Sequence, residues 1–385
     1  MEWRVPLADI AFGEEEIKSV TEVLRSGWLS MGSVTRQFEQ EFAAFIGAKH
    51  TLAVTNATAA LHLACVVAGI GPGDEVIIPS LTFVATANAV RYTGATPVFA
   101  DIESYDRLNI SPASIETCIT ARTRAILVMH YAGFACDMPA IMEIAHRHNL
   151  IVLEDSAHAI GSKLENRTLG TWGAMGCFSF FSNKNMTTGE GGMLATDDDA
   201  LAERLKILRS HGMTSLSWDR HKGHVSTYDV VDLGYNYRID EMRSALGRVQ
   251  LGKLPASNKC RRELTALYRE LLSELTPEIK MPFSEAHGVS SLSCYHILPV
   301  LLPPETDRAK FMEGMNAQGI QTSIHYPPVH RFHIYEDEWS SRNNPLPLTE
   351  EVSARQVTLP LYATMREDQV ELVARAARQV LMEMQ

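Results

Sequence analysis

The chain has 385 residues, with 35 Lys plus Arg against 46 Asp plus Glu, a net charge of −11 and 45% hydrophobic residues. That length exceeds what one simple core organises, so two domains, or a large α/β domain with an appendage, are expected. A surface this acidic is ill suited to nucleic acid or anionic membrane, and an anionic substrate would need a local basic pocket.

No apolar stretch approaches membrane-spanning length, and Met1–Pro6 lacks the basic region and apolar run of a signal peptide. The six cysteines (Cys65, Cys118, Cys136, Cys177, Cys260, Cys294) are scattered, without a C-x-x-C pair and mostly among apolar neighbours. This pattern predicts reduced, buried thiols in a cytoplasmic protein, with no zinc site or other metal and no disulfide framework.

Residues 14–26 place Ile17, Val20, Val23 and Leu24 on one helical face, and Gly27 stops that helix. Residues 33–45 repeat the pattern with Phe38, Phe42, Ala43 and Phe45, and Gly47 suits a C-terminal cap. A strand over Thr51–Thr55 leads into Asn56-Ala57-Thr58-Ala59-Ala60-Leu61, where polar residues open a run of strong helix formers. The free N–H groups of such a helix start suit a phosphate as well as simple capping. Ordinary nucleotide-binding glycine loops are absent.

A turn at Gly71–Asp74 precedes a buried strand at 75–79, and Thr82–Val90 reads as a helix. Further strands fall at 96–100, 125–129 and 150–153, with a helix over Met138–His148 between the last two. Strands alternating with helices predict a mostly parallel sheet covered on both faces, with ligands gathering at the carboxyl ends of the strands. At one such end stand Glu154 and Asp155. Strand neighbours point to opposite faces, so the two should not share a partner.

An aromatic run, Cys177–Phe181, then ends in polar residues and Lys184, followed by Gly189, Gly191, Gly192 and a second apolar run over 193–196. Residue types alone leave Lys184 open between a solvated hairpin lysine and a Schiff-base lysine, whose pKa desolvation usefully lowers. A helix is predicted over 199–209. Residues 212–230 read as a loop whose Trp218, Arg220, His221, Lys222 and His224 could form a basic flap or be plain solvated charges. Leu233–Arg238 precedes a long helical pattern through Leu254, which resumes after an interruption at Pro255 as Arg261–Leu275. A strand-rich, less regular remainder with a strand at 295–302 follows, and a helix over Asp368–Met384 closes the chain. Residues 1–254 are therefore expected to form the larger α/β domain and 255–385 a smaller α+β domain.

Residues 177–192, taken with Glu154–Gly161 and Gly234–Arg238, resemble the DegT/DnrJ/EryC1/StrS family of sugar aminotransferases. The similarity runs nearly end to end, through Gly27–Gly32, Gly71–Val76, Thr82–Thr86, His325–Pro328 and Leu359–Tyr362. The resemblance implies the fold type I architecture of pyridoxal 5′-phosphate enzymes. It implies that Lys184 holds the cofactor as a Schiff base and that Asp155 pairs with the pyridine nitrogen, keeping the ring an electron acceptor. It further implies that Thr58, the backbone around Ala59, and Ser179 bind the phosphate, that Phe83 stacks on the ring, and that His158 lies near the 3-hydroxyl. Asn236 matches an asparagine that reaches the phosphate in a neighbouring subunit, implying a homodimer with shared sites. Arg238 and His325 lie in matched motifs and are candidate substrate or donor contacts. The alternative for Phe83 is a core aromatic, and for His158 a hydrogen-bonded strand-end histidine that needs no ligand.

One departure is that Asn56-Ala57-Thr58-Ala59 stands where the family commonly has Ser-Gly-Thr and a polar residue. Backbone donors can still serve the phosphate there, but a side-chain contact at position 59 is lost. The implied reaction moves an amino group, with L-glutamate as donor, to a nucleotide-linked 4-keto-6-deoxyhexose. Alternatives are an inosose aminotransferase, a sugar dehydratase (relatives of that kind carry histidine in place of the lysine) and a non-catalytic regulatory relative.

Overall fold

The computed structural model of the chain describes residues 3–214, 227–283, 291–340 and 344–384. From the N-terminus, α1 (Glu14–Ser26) and α2 (Ser33–Ile46) lead into β1 (His50–Val54), α3 (Ala57–Val67), β2 (Glu75–Pro79), α4 (Val84–Tyr92) and β3 (Thr96–Ala100). Next come α5 (Pro112–Cys118), β4 (Thr123–Met129), α6 (Met138–His148) and β5 (Ile151–Asp155), then a small hairpin of β6 (Lys163–Leu164) and β7 (Arg167–Thr168). After β8 (Met175–Ser179) and β9 (Gly192–Thr196) follow α7 (Asp199–Leu208) and α8 (Glu241–Leu275). The C-terminal part holds β10 (Ser291–Leu292), β11 (Leu298–Leu301), α9 (Arg308–Ala317), α10 (His333–Ser340), α11 (Pro347–Arg355), β12 (Gln356–Leu359) and α12 (Glu367–Glu383).

Among the described residues, a seven-stranded sheet runs in the order β1-β9-β8-β5-β4-β2-β3. Its β3-β2-β4-β5-β8 portion is parallel, whereas β8–β9 and β9–β1 pair antiparallel. The mostly parallel α/β architecture expected from the sequence is present. Alternation along the strands divides the apolar side chains between two layers. Val76, Ile78, Leu127 and Leu153 pack with the α3 and α4 residues Leu61, Ala64 and Val90. Ile77, Ile126, Val128 and Val152 pack on the other face with Ile115, Ile141 and Ile144 of α5 and α6.

The alternation also separates the two carboxylates of β5. Glu154 accepts from the backbone N–H groups of Gly170 and Gly173, each at 2.7 Å, and lies 2.9 Å from His130 Nε2. Asp155 has a different set of partners on the other side of the strand. Glu154 is thus a structural anchor that ties the β7–β8 connection to the sheet.

Several local expectations change. Ile17 and Leu24 are 59% and 53% exposed, while Val23 is buried. The apolar stripe of α1 is turned partly outward because α1 meets α8 through polar contacts: Glu16 accepts from Gln250 Nε2 at 2.8 Å and Lys253 Nζ at 2.7 Å. The interruption at Pro255 is not one, since α8 is continuous over 35 residues. A proline removes a single helical hydrogen bond, and neighbouring turns can carry the helix past it. The remainder after residue 302 is more helical than strand-rich. Asp307 caps α9 by accepting from Lys310 N–H, and Pro347 stands in the first turn of α11.

The expected boundary at 254/255 therefore lies inside one helix. A separate core does form around the second half of α8, with Leu264, Tyr268 and Leu272 packed on Val300, Phe311, Val357, Val373 and Val380. The N-terminal segment, expected with residues 1–254, attaches to this second core. Val5 joins it, and Arg4 and Val5 donate to Gly319 O at 2.9 and 3.1 Å. Among the described residues, no helix is long and apolar enough to cross a membrane.

Replacing Glu154 by Ala strands two buried N–H groups and His130, and should lower unfolding stability by roughly 3–5 kcal/mol. Urea unfolding of Glu154→Ala beside Glu154→Gln measures this, with the amide variant expected to lose less because it keeps an acceptor oxygen.

Candidate active site

The loop between β8 and β9 is held at its root by aromatic packing. Phe178 and Phe180 meet Phe42 with ring centroids 5.1 and 5.5 Å apart, and Phe180 lies 5.4 Å from Phe38. Phe180 N–H donates to Gly191 O and Thr188 N–H to Phe180 O, both at 2.9 Å, closing the loop. A Cβ on Gly191 would lie 2.2 Å from Thr188 Oγ1, so that close approach requires glycine. Lys184 sits at the tip of this frame, and its Nζ lies 3.3 Å from His296 Nε2. Burial pushes the Lys184 amine down to about 8, against the opposing pull of Asp155 and Cys294.

Asp155 is buried at the end of β5. Its Oδ2 accepts from the Thr86 hydroxyl at 2.8 Å and its Oδ1 from Ala157 N–H at 3.1 Å. Burial raises this carboxyl above its usual range, while Thr86, Ala157 and the charge of Lys184 pull the other way. Thr86 Oγ1 in turn lies 2.7 Å from Thr82 Oγ1. Because Thr86 gives its own proton to Asp155, Thr82 must donate to Thr86, so the first turn of α4 points its hydrogen bonds at the carboxylate.

Three histidines line the same region. His158 Nε2 lies 2.9 Å from Tyr326 OH, the His158 and His296 rings are 4.3 Å apart, and His325 Nδ1 lies 2.9 Å from Thr358 Oγ1. Burial, then the nearby Lys184, drives His325 down to about 4 and holds His158 and His296 well below their usual range. These imidazoles are therefore neutral at ordinary pH. Phe83, just before α4, is 51% exposed, with its ring centroid 5.6 Å from that of Tyr326. It is a surface of the cleft rather than a core aromatic.

The strand ends beside this group meet the start of α3. Asn56 caps that helix by accepting Ala59 N–H at 2.8 Å, so the Ala59 amide, expected among the phosphate donors, already has a partner. Thr58 is half-buried in the first turn. Ser179 is buried at the end of β8, and its Oγ accepts from Phe181 N–H at 3.3 Å. A Cβ on Gly192 would lie 2.5 Å from the Asn56 carbonyl carbon and 2.7 Å from Ala57 N, so β9 can approach this turn only as glycine.

The structure thus groups Lys184, Asp155, His158 and His325, with Phe83 joined through Tyr326, and puts Thr58, Ala59 and Ser179 at the neighbouring strand ends. Asn236 and Arg238 lie on a segment that runs beside the end of β1, where Thr55 N–H donates to Tyr237 O at 2.9 Å. Asn236 is exposed and bridges to Ser210, while Arg238 bridges to Val54 and donates to Ser210 Oγ at 3.1 Å. Trp218, Arg220, His221, Lys222 and His224 fall outside the described residues. Three contributors escaped the sequence reading: Thr86, Tyr326 and His296. The first two sit inside motifs already noticed for a neighbouring residue. His296 was hidden in a run read as strand, but β11 begins only at Leu298 and leaves it free to turn toward Lys184.

The arrangement fits an aldehyde-bearing heteroaromatic phosphate. It offers an amine easily made neutral, a buried carboxylate for a ring nitrogen, an exposed aromatic face, and a helix start with a hydroxyl beside it. The model of the DegT/DnrJ/EryC1/StrS aminotransferase family matches residues 11–378. The chain belongs to this family. As a DegT/DnrJ/EryC1/StrS protein it is a pyridoxal-phosphate-dependent sugar aminotransferase by class. It is 41% identical over 371 residues to the spore coat polysaccharide biosynthesis protein SpsC of Bacillus subtilis (strain 168), covering 96% of this chain and 95% of that protein. It is similar in structure to PseC of Helicobacter pylori, an aminotransferase involved in the biosynthesis of pseudoaminic acid. That match has 30% identity and a TM-score of 0.90 over 100% of both chains. DesV of S. venezuelae is 35% identical with a TM-score of 0.86, covering 95% of this chain and 94% of its own.

The depressed Lys184 amine has a measurable consequence in cofactor-free protein. Below about pH 8 both folded and unfolded chains hold the proton, so the folded state bears the full burial penalty. Between about 8 and the ordinary value of 10.5 only the unfolded chain keeps it, so stability rises with pH; above that both are neutral. Lys184→Met should therefore be more stable than wild type at pH 7, by up to about 3 kcal/mol. The difference should shrink as urea unfolding is repeated toward pH 10.5.

Proposed function

We propose that this protein transfers an amino group from an amino acid, L-glutamate, to the ketone of a nucleotide-linked 4-keto-6-deoxyhexose, in amino-sugar biosynthesis. The observation that carries the reading is the desolvated amine of Lys184 sharing one cleft with the buried carboxylate of Asp155. Lys184 would hold pyridoxal 5′-phosphate, Asp155 its ring nitrogen, and Thr58 with Ser179 its phosphate, with Phe83 over the ring and His158 toward the 3-hydroxyl. At Ala59 the backbone contributes through the shape of the turn, since Asn56 already takes its N–H. When bound, the cofactor accepts the electron pair of a broken Cα–H bond and stores the amino group between donor and acceptor.

The residues supply the proton traffic. An amine with a pKa near 8 is part neutral at cellular pH, so Lys184 Nζ can take a proton from one carbon and return it to the carbon across the intervening nitrogen. Thr86 and Ala157 N–H stabilise the ionised form of Asp155, which would keep a ring nitrogen protonated opposite it. The neutral histidines wall the cleft without adding charge that would repel a protonated ring. Arg238 and His325 are proposed substrate contacts, His325 from within the cleft.

The position of Asn236 supports a homodimer with shared sites. Exposed, it is available to the cofactor phosphate of a second copy. The thiols Cys65, Cys118, Cys136, Cys177 and Cys294 are free and buried and Cys260 is free and exposed, which supports a reducing, cytoplasmic setting.

Lys184→Ala is expected to abolish turnover and the borohydride-fixed cofactor adduct seen by mass spectrometry, and normal turnover in that variant would end the assignment. Asp155→Asn should slow turnover by two orders of magnitude or more, about 3 kcal/mol of transition-state stabilisation. The substrate is tested by mixing the pyridoxamine form with nucleotide-linked keto sugars and free inososes while following return of the aldehyde absorbance. Response to the nucleotide-linked hexoses is expected, and response to inososes alone would overturn the substrate class.

A further inference from the structure

The histidine beside Lys184 stands at the end of a hydrogen-bond chain whose direction cannot be reversed. Asn185 Nδ2 lies 2.8 Å from the Cys294 carbonyl oxygen and 2.8 Å from Asn258 Oδ1. A carbonyl only accepts, so the Asn185 atom facing Cys294 must be the amide nitrogen, and its oxygen must face the other way. Asn258 is oriented by the same logic, because its Nδ2 donates to Ile160 O at 3.0 Å. Gly161 makes room for that contact, since a Cβ there would lie 2.9 Å from Asn258 Nδ2. Asn185 Oδ1 is then an acceptor 2.9 Å from His296 Nδ1, which must carry a proton. That leaves His296 Nε2 as a lone pair, and Lys184 Nζ is the group it faces, at 3.3 Å.

We propose that His296, locked as its Nδ1–H tautomer by Asn185 and Asn258, is the fixed acceptor that holds the amine of Lys184 in place whenever that amine is free. His296 acts on the reacting nitrogen directly, while Asn185 and Asn258 are positioning residues that act through it. Two acceptor-only backbone carbonyls, from different parts of the chain, anchor the whole set: Cys294 O just before His296 and Ile160 O after β5. Free histidine favours the Nε2–H tautomer. That form would aim a donor at the ammonium, which has no lone pair to accept it, whereas the Nε2 lone pair accepts from the group in either protonation state. Burial of His296, together with the neighbouring charges of Lys184 and Arg261, keeps the ring from becoming a doubly protonated donor.

The inference rests on reading Lys184 as the cofactor-bearing lysine, but its test is separate because it needs no turnover. Full-length protein carrying 15N-labelled histidine is examined without cofactor, with the His296 signals assigned by their loss in His296→Gln. The expected result is a neutral ring protonated at Nδ1 across neutral pH. A ring protonated at Nε2, or an imidazolium, would overturn the proposal. In Asn185→Leu the ring should switch to the Nε2–H form. The pH midpoint for acylation of Lys184, followed by peptide mass spectrometry, should then fall by about one pH unit, a tenfold change in the amine-to-ammonium ratio. Asp155, Cys294, His158 and His325 also face this amine and are left unchanged by the substitution. A folded Asn185→Leu protein with an unmoved midpoint counts against the proposal, and if that variant does not fold the wild-type tautomer alone decides. Loss of activity in Lys184→Ala with a wrong tautomer in wild type would sink this inference and leave the aminotransferase reading standing.

Discussion

The structure depends on keeping one amine out of water beside one carboxylate. An ammonium buried without a partner is expensive, and so is a lone buried carboxylate. Here each moderates the other, and neither is fully neutralised: Lys184 is still driven to about 8 and Asp155 is still raised by its burial. That residual tension is the useful property, because it leaves an amine that exchanges protons near neutrality next to a carboxylate whose ionised form dedicated donors favour. The surrounding polypeptide can be read as the frame that maintains this separation from solvent.

That frame is distributed over the chain. Aromatic packing between α2 and the root of the β8–β9 loop fixes where Lys184 starts. The central strand β5 fixes Asp155, and its neighbour Glu154 uses the opposite side of the same strand to bind the β7–β8 connection. The C-terminal unit contributes His296, His325 and Tyr326, so the cleft is closed by elements more than 100 residues away from the lysine in sequence. Continuity of α8 past Pro255 matters for the same reason. One rigid helix carries Asn258 and Arg261 to the cleft while its first half packs on α1 and α2.

Much of this was legible in the sequence because its signals are local. Strand–helix alternation predicted the parallel sheet, the pairing of Glu154 with Asp155 at a strand end predicted opposed roles, and the lysine between an aromatic run and a glycine cluster marked the loop. Helix faces were less legible: the stripe of Ile17 and Leu24 is real, yet a polar contact of Glu16 with Gln250 and Lys253 turned it partly outward. The short helices after residue 302 carry too few turns to display a periodic face. Their caps, Asp307 and Pro347, were the only local cues.

What the sequence determined by itself was the layered α/β order and the residue types of the site, since both follow from near-neighbour periodicity and from motifs a few residues long. What only the tertiary structure decided was which histidine faces the lysine, that the Ala59 amide is already occupied by Asn56, and that Asn236 is exposed beside Ser210 while Arg238 is tied to Val54. Those facts depend on hydrogen-bond direction and burial between segments distant in the chain. No local pattern encodes them, because a donor acquires its acceptor only when packing brings the two together.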